Sequence, residues 1–136
     1  MVSREDIESY LDRLTSGGGG ANYHEVEPGL WIVRPSGALD LDVVVHYSPP
    51  VVLFRVKVMN VPKSDLSASK LNRRLLELNA TDLVHGSYGI ERESIVLTEA
   101  LELAHVDYDE FLSSYEGMTL ALAAHVRELS SYHDAH

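Results

Sequence analysis

Seven histidines are the side chains in this chain best suited to hold a metal ion or to move a proton. They are His24, His46, His85, His105, His125, His133 and His136. A helical zinc site commonly uses two histidines four residues apart, and no pair here has that spacing. The pattern predicts no metal site. His125 falls in the apolar seam of the last predicted helix, where we expect it to pack with one ring nitrogen in water.

His85 and Ser87 are the candidates for nucleophilic catalysis, in the run His85-Gly86-Ser87-Tyr88-Gly89. This is not the G-x-S-x-G elbow of hydrolases, which needs a glycine two positions on either side of the serine. On a strand the two side chains share a side, but the sequence places no acid nearby to orient the histidine. The run therefore predicts a bent or closely packed strand. A small hydrolase or ligand sensor stays open as a third function class, and a pocket enclosing His85, Ser87 and an acid would favour it.

The run Gly17–Gly20 could suggest a phosphate-binding loop. Such a loop follows a strand and opens a helix, whereas here a predicted helix comes before and a strand after. We therefore expect residues 17–21 to form a glycine-rich connector.

The charge balance limits the classes of partner. The chain has 136 residues, with 11 Lys+Arg against 21 Asp+Glu, a net charge of −10 and an isoelectric point near 5.0. Phosphate recognition needs clustered cations, so nucleic acid and anionic membrane are disfavoured. The one basic cluster, Lys63, Lys70, Arg73 and Arg74, is expected to pair with acids of this chain or of a partner.

Composition excludes further classes of site and of location. The absence of cysteine rules out disulfides, thiolate metal sites and a cysteine nucleophile. No apolar run approaches the roughly 20 residues of a membrane span, and the first residues lack a signal core. We expect a cytoplasmic protein with no cofactor and no small-molecule substrate.

Three helices are predicted from apolar spacing. The first, over residues 1–16, is capped by Ser3. The second is capped by Ser64, and the third, over 107–133, by Asp107 with Glu110 three residues later. Inside the third helix Gly117 predicts a bend or a close contact.

Five strands are predicted between these helices. Residues 31–33, 41–47 and 51–58 form an antiparallel meander, and in the last of these strands apolar residues alternate with Arg55 and Lys57. Two more strands cover 83–90 and 95–103, with Val84, Tyr88 and Ile90 on one side of the first. The expected fold is a single α+β domain, residues 1–136, with an antiparallel sheet of about five strands and the order α-β-β-β-α-β-β-α.

At this level the chain resembles the CesT-like type III secretion chaperones and the related YbjN-like domains. The resemblance lies in the Leu-Leu-x-Leu-Asn end of the second helix, the glycine-containing strand after it and the acid-capped last helix. The segments that carry it are residues 75–80, 84–90, 95–97 and 107–132. The run Gly17–Gly20 and the pair Pro28-Gly29, expected to interrupt the first strand, depart from typical chaperones.

The resemblance implies a dimerising α+β domain without cofactor or catalysis. A secretion chaperone holds a largely unfolded effector segment in apolar grooves, whereas YbjN-like domains are linked to regulation. The leading hypothesis is a homodimeric, non-enzymatic module that binds a client protein segment. The alternative is a YbjN-like regulatory or stress-related adaptor that binds a folded partner.

Apolar side chains beyond the needs of one small core identify the candidate binding residues. For the client these are Ile7, Tyr10, Leu11, Leu14, Val51 and Leu53. For the dimer interface they are Leu66, Leu71, Leu75 and Leu78.

Overall fold

The computed structural model describes residues 1–17, 20–37 and 39–133. Its helices are α1 (Arg4–Thr15), α2 (Asp65–Thr81) and α3 (Tyr108–Ser130). Its strands are β1 (Asn22–Glu27), β2 (Leu30–Arg34), β3 (Val43–Ser48), β4 (Val51–Asn60), β5 (Ser87–Glu91) and β6 (Ser94–Glu102). The α+β class is confirmed, with the order α-β-β-β-β-α-β-β-α. The first and third helices are slightly shorter than expected, and Gly18 and Gly19 of the connector lie outside the described residues.

All six strands form one antiparallel sheet in the order β1-β2-β3-β4-β6-β5. The first four make a meander of adjacent strands. The chain then passes through α2 to β5, and β6 returns to pair with β4. The sheet therefore has two edges, β1 and β5.

The expected count of five strands was too low because β1 has no apolar alternation. Within it only Tyr23 is even half-buried, so the period of two that marks a strand is absent. Pro28-Gly29 does not interrupt a strand but forms the turn between β1 and β2, with Gly29 at φ +80°. That φ suits glycine in a tight hairpin turn.

The core lies between one face of the sheet and the helices. In β4 the alternation expected from sequence is confirmed, because Val52, Phe54 and Val56 are fully buried and Leu53 and Arg55 between them are not. The rings of Phe54 and Phe111 are 5.0 Å apart, which places α3 on that face. The opposite side, called the outer face, carries Leu53 and Arg55 and is not part of the core.

Capping side chains begin α1 and α3 as expected. The Ser3 hydroxyl accepts from the Asp6 backbone N–H at 3.1 Å, and the Ser3 N–H donates to Asp6 Oδ2 at 2.9 Å. The Asp107 carboxylate accepts from the Glu110 N–H at 2.8 Å. Each cap satisfies backbone donors that a helix leaves unpaired at its start.

Candidate protein-binding surfaces

The apolar stripe of α1 faces the core. Ile7 and Leu11 are fully buried in the core of this chain, and their assignment to client contact stays a prediction that this burial disfavours. The reason is their four-residue spacing, which puts both on the line that packs on the sheet. Tyr10 and Leu14 flank that line and remain half-exposed, and Tyr10 packs on Phe111 with ring centroids 5.5 Å apart.

The apolar stripe of α2 also packs into the core of this chain. Leu71, Leu75 and Leu78 are buried within the chain itself, so their assignment to a dimer interface also stays a prediction that this burial disfavours. Leu66, in the first turn, is exposed. The exposed apolar side chain in the middle of α2 is Leu76, which is 68% accessible and which the stripe did not include.

An apolar groove runs between α2 and the edge strand β5, and we call it the α2–β5 groove. Its volume is about 260 Å³. Its lining is Asn72, Leu75, Leu76, Asn79, Tyr88, Gly89 and Ile90. Ile90 is exposed beside it, so Leu76 and Ile90 together form an apolar surface that this chain does not cover.

The free edge of β5 is closed at Tyr88, its second residue, by a side chain of α2. The Tyr88 N–H donates to Asn79 Oδ1 at 2.7 Å, and Asn79 Nδ2 donates to the Tyr88 carbonyl at 3.1 Å. The amide thus takes the place of a neighbouring strand. Open edges invite pairing with other chains, so at this point a partner must bind through side chains.

His125 is a junction between α3, β5 and α2. It is 6% accessible; its Nδ1 is 2.8 Å from the Tyr88 hydroxyl and its Nε2 is 3.0 Å from Asp82 Oδ2. Both nitrogens have protein partners, so the expectation of one wet nitrogen was wrong. Burial raises the pKa of Tyr88, which keeps its hydroxyl neutral.

The basic cluster on α2 pairs partly with acids of the chain, as expected. Arg74 makes a two-point contact with Glu128 of α3, with Nε–Oε2 at 2.7 Å and Nη2–Oε1 at 3.1 Å. Hydrogen bonding to Arg74 lowers the pKa of Glu128. Arg73 lies 3.9 Å from Glu77, one helical turn away.

The His85 region does not build a hydrolase triad. His85 Nδ1 lies 3.5 Å from Glu99 Oε1 and 3.5 Å from Ser114 Oγ, so the fold brings an acid from β6 close to this histidine. Both contacts are made by Nδ1, whereas in a catalytic triad the acid binds one ring nitrogen of the histidine and the serine binds the other. Ser87 is exposed.

Glycines bring α3 close to the His85 segment. A Cβ on Gly117 would lie 2.6 Å from His85 Cδ2, which confirms the close contact expected at this glycine. Gly86 has φ +82° and packs against Leu97 and Met118. Val84 was expected to share one side of this strand with Tyr88. It is exposed and lies before β5, so that expectation was wrong.

The outer face of the sheet carries a groove of about 390 Å³. Its lining is Leu30, Val44, His46, Leu53, Phe54, Arg55, Glu91 and Thr98. Arg55 forms an ion pair with Glu91 across it. Leu53 and neighbouring Val51, two of the expected client residues, are half-exposed here.

The fold defines a class: an α+β domain with helices on one face of an antiparallel sheet and apolar surfaces that its own core leaves uncovered. The chain matches the CesT_Tir_1 family model over residues 2–135 and belongs to that family. The resemblance inferred from sequence is thereby confirmed. Among the described residues, no helix is long and apolar enough to cross a membrane.

Solved structures share this fold. A chain of the ExoU–SpcU complex from the type III secretion system of Pseudomonas aeruginosa has a TM-score of 0.61 and 16% identity, over 89% of this chain and 95% of that one. A chain of the HopA1–SchA chaperone–effector complex has a TM-score of 0.59 and 12% identity, over 90% of this chain and 93% of that one. YbjN from E. coli has a TM-score of 0.60 and 16% identity, over 90% of this chain and 93% of that one. At these identities the likeness establishes the fold alone. The comparison with curated proteins gave no match.

Proposed function

We propose that this protein is a homodimeric type III secretion chaperone-like module that binds a segment of a client protein along the outer face of its sheet. The observation that carries the proposal is a groove with Leu30, Val44 and Leu53 in its lining, on the sheet face opposite the core, in a chain of the CesT_Tir_1 family. Its fold is shared with chains of chaperone–effector complexes. In this role the protein acts in the cytoplasm, without catalysis, cofactor, nucleic acid or membrane.

The outer face suits an extended apolar segment. Leu53 pairs with His46 of β3 and Ala100 of β6, so it stands near the middle of the sheet with solvent above it. The groove beside it is lined by apolar side chains such as Leu53 and Val44 together with polar ones such as His46 and Arg55. A client segment with apolar residues at every second position would place them against Leu53 and Val44.

A second copy of this chain is the proposed occupant of the α2–β5 groove. Along α2, Lys70 and Arg73 precede Leu76 and Glu77 follows it, and all four side chains line one surface hollow. Around a two-fold axis, the cations of one copy meet the acid of the other while the two Leu76 side chains are buried together. The two hydrogen bonds between Asn79 and the Tyr88 backbone, called the Asn79–Tyr88 clamp, support this arrangement. They occupy the strand edge at Tyr88, so contact through helix side chains is favoured over strand pairing there.

The YbjN-like adaptor is the second candidate, and the likeness to YbjN favours it. The two functions differ in the state of the partner. A chaperone protects an extended segment, whereas an adaptor binds a protein that is already folded.

Client capture tests the proposal with one substitution and a matched control. Leu53→Glu places a charge in the outer face, and Val84→Glu places the same charge on an exposed residue outside β5. We expect the wild-type protein and Val84→Glu, expressed in the native host, to co-purify with the same client, and Leu53→Glu to lose it.

Limited proteolysis of the captured complex then separates the two candidates. A client segment that is protected only while bound supports the chaperone. A client that is equally resistant when free supports the adaptor. Equal capture by Leu53→Glu and wild type would refute the outer face as the binding surface.

Light scattering tests the dimer. We expect wild type to run as a dimer at micromolar concentration and Leu76→Asp as a monomer. A monomeric wild-type protein up to millimolar concentration would refute the dimer.

A further inference from the structure

An arginine and a lysine follow the apolar residues of β4 on the outer face. In β4 every second side chain points away from the core, so Val51, Leu53, Arg55 and Lys57 stand there in one line. Neighbours in this line are about 7 Å apart, which is twice the rise of one strand residue. The line is therefore apolar over its first half and positive over its second half.

Lys57 is a cation without an acid in a strongly acidic chain. The chain has 21 Asp+Glu against 11 Lys+Arg, yet Lys57 is exposed and forms no ion pair with any residue that the structure describes. Its cross-strand partner on β6 is Val96, and the acid just before β3, Asp42, lies 3.3 Å from Arg34 instead. The charge of Lys57 is thus available to a partner.

Arg55 shows which chemical group this end of the line binds. Its guanidinium forms an ion pair with the Glu91 carboxylate across the groove of the outer face. The two side chains are 42% and 51% accessible, and ion pairs at such exposure contribute little to stability. A carboxylate of another chain can therefore replace Glu91 at low cost, since a guanidinium accommodates any carboxylate in the same geometry.

An acid stands at the opposite end of the line. Glu102 is exposed and is the cross-strand partner of Val51. A client carboxylate near Val51 would meet this like charge, whereas a client carboxylate near Lys57 would meet a cation. The charges therefore set the order of residues in a segment that runs along β4, with its acids toward Lys57.

We propose that the client segment on the outer face is acidic as well as apolar: an extended stretch with two apolar residues and then two acids, at every second position. The apolar pair packs over Val51, Leu53 and Val44, and the acids pair with Arg55 and Lys57. Glu91 competes with the client for Arg55. The inference rests on the proposed function, since it names the chemistry of the same client segment.

An NMR titration of the full-length protein tests this with three end-capped peptides: TLTLTETET, the charge control TLTLTKTKT and the apolar control TSTSTETET. We expect millimolar TLTLTETET to shift the amide signals of residues 51–57, and both controls to bind more weakly. Net charge alone predicts the opposite order for the charge control, because a protein of net charge −10 attracts a basic peptide.

Two charge reversals and one neutralisation locate the effect. Lys57→Glu should weaken TLTLTETET binding by about 2- to 10-fold, while Arg127→Glu, the same change of charge at an exposed residue of α3, should leave it unaltered. Glu91→Gln removes the competitor for Arg55 and should strengthen binding by about 2- to 5-fold. A misfolded variant does not gain affinity, so this gain also excludes a trivial loss of structure.

TLTLTKTKT binding as tightly as TLTLTETET, or equal weakening by Lys57→Glu and Arg127→Glu, would overturn the inference. In these cases loss of client by Leu53→Glu would leave the proposed function standing, and capture unaffected by Leu53→Glu would refute the proposed function instead. Signals of residues 51–57 that shift with protein concentration in the absence of peptide would also overturn the inference, because a second copy would then cover the outer face.

Discussion

Gly117→Ala tests how tightly α3 is packed on the His85 segment. The new Cβ would lie 2.6 Å from His85 Cδ2 and 3.2 Å from both Cβ and Cγ of the same residue. Because the whole side chain is close, turning the ring does not relieve the contact. Overpacking of this kind costs about 1–3 kcal/mol, and the better helix propensity of alanine returns about 0.5–1 kcal/mol. We expect a net loss of about 1 kcal/mol, or about 4 °C in melting temperature.

The double variant separates the two effects. In a His85→Ala background the contacts with Cδ2 and Cγ are removed and only the 3.2 Å approach to Cβ remains, so the destabilisation caused by Gly117→Ala should largely disappear. Urea unfolding at one fixed protein concentration measures both steps, because the stability of the proposed dimer would depend on concentration. If Gly117→Ala stabilised the protein equally in both backgrounds, the close contact and the reasoning built on it would be refuted.

Two further substitutions test the links between α2 and the rest of the fold. Asn79→Leu removes both hydrogen bonds to the Tyr88 backbone, so the Tyr88 amide hydrogen should exchange with solvent at least about tenfold faster, while the exchange of β4 amides does not change. Equal exchange of the Tyr88 amide in the variant and the wild type would contradict the role of Asn79 in closing this sheet edge. Glu128 has its pKa lowered by Arg74 from the ordinary 4.5, so its contribution to stability is present above about pH 4.5 and is lost as pH falls through the folded pKa. Urea curves should therefore show Glu128→Gln less stable than wild type at pH 7 and equal to it at pH 2, and a pH-independent difference would exclude the ion pair as its cause.

Local pattern predicted the elements where one face of an element is buried. The alternation in β4 and the cap at Asp107 are both read directly from residue types, and both are confirmed. β1 was missed for a physical reason. It is an edge strand whose side chains are nearly all exposed, so its pairing with β2 depends on the backbone and on the Gly29 turn, and neither produces a periodic pattern.

The contacts that join elements could not be read from the sequence. Arg74 and Glu128 are 54 residues apart, and Asp82 and His125 are 43 apart, so only the folded topology brings them together. The Asn79–Tyr88 clamp spans nine residues and falls within the segment that carried the family resemblance. That segment was recognised as a pattern, but its role in closing a sheet edge required the structure.

Burial separates the candidate binding residues into two groups, and this separation indicates where a surface for a partner should be sought. A helix packs on its own sheet through an apolar stripe with helical spacing. Leu71 and Leu78 belong to such a stripe and are therefore buried within this chain. A surface kept for a partner must lie off that stripe. Leu76 does, one position from Leu75, and Leu53 does on β4, one position from Phe54. In this fold the apolar residue that breaks the expected pattern is therefore the better candidate for contact with another chain, because core packing gives no reason for it.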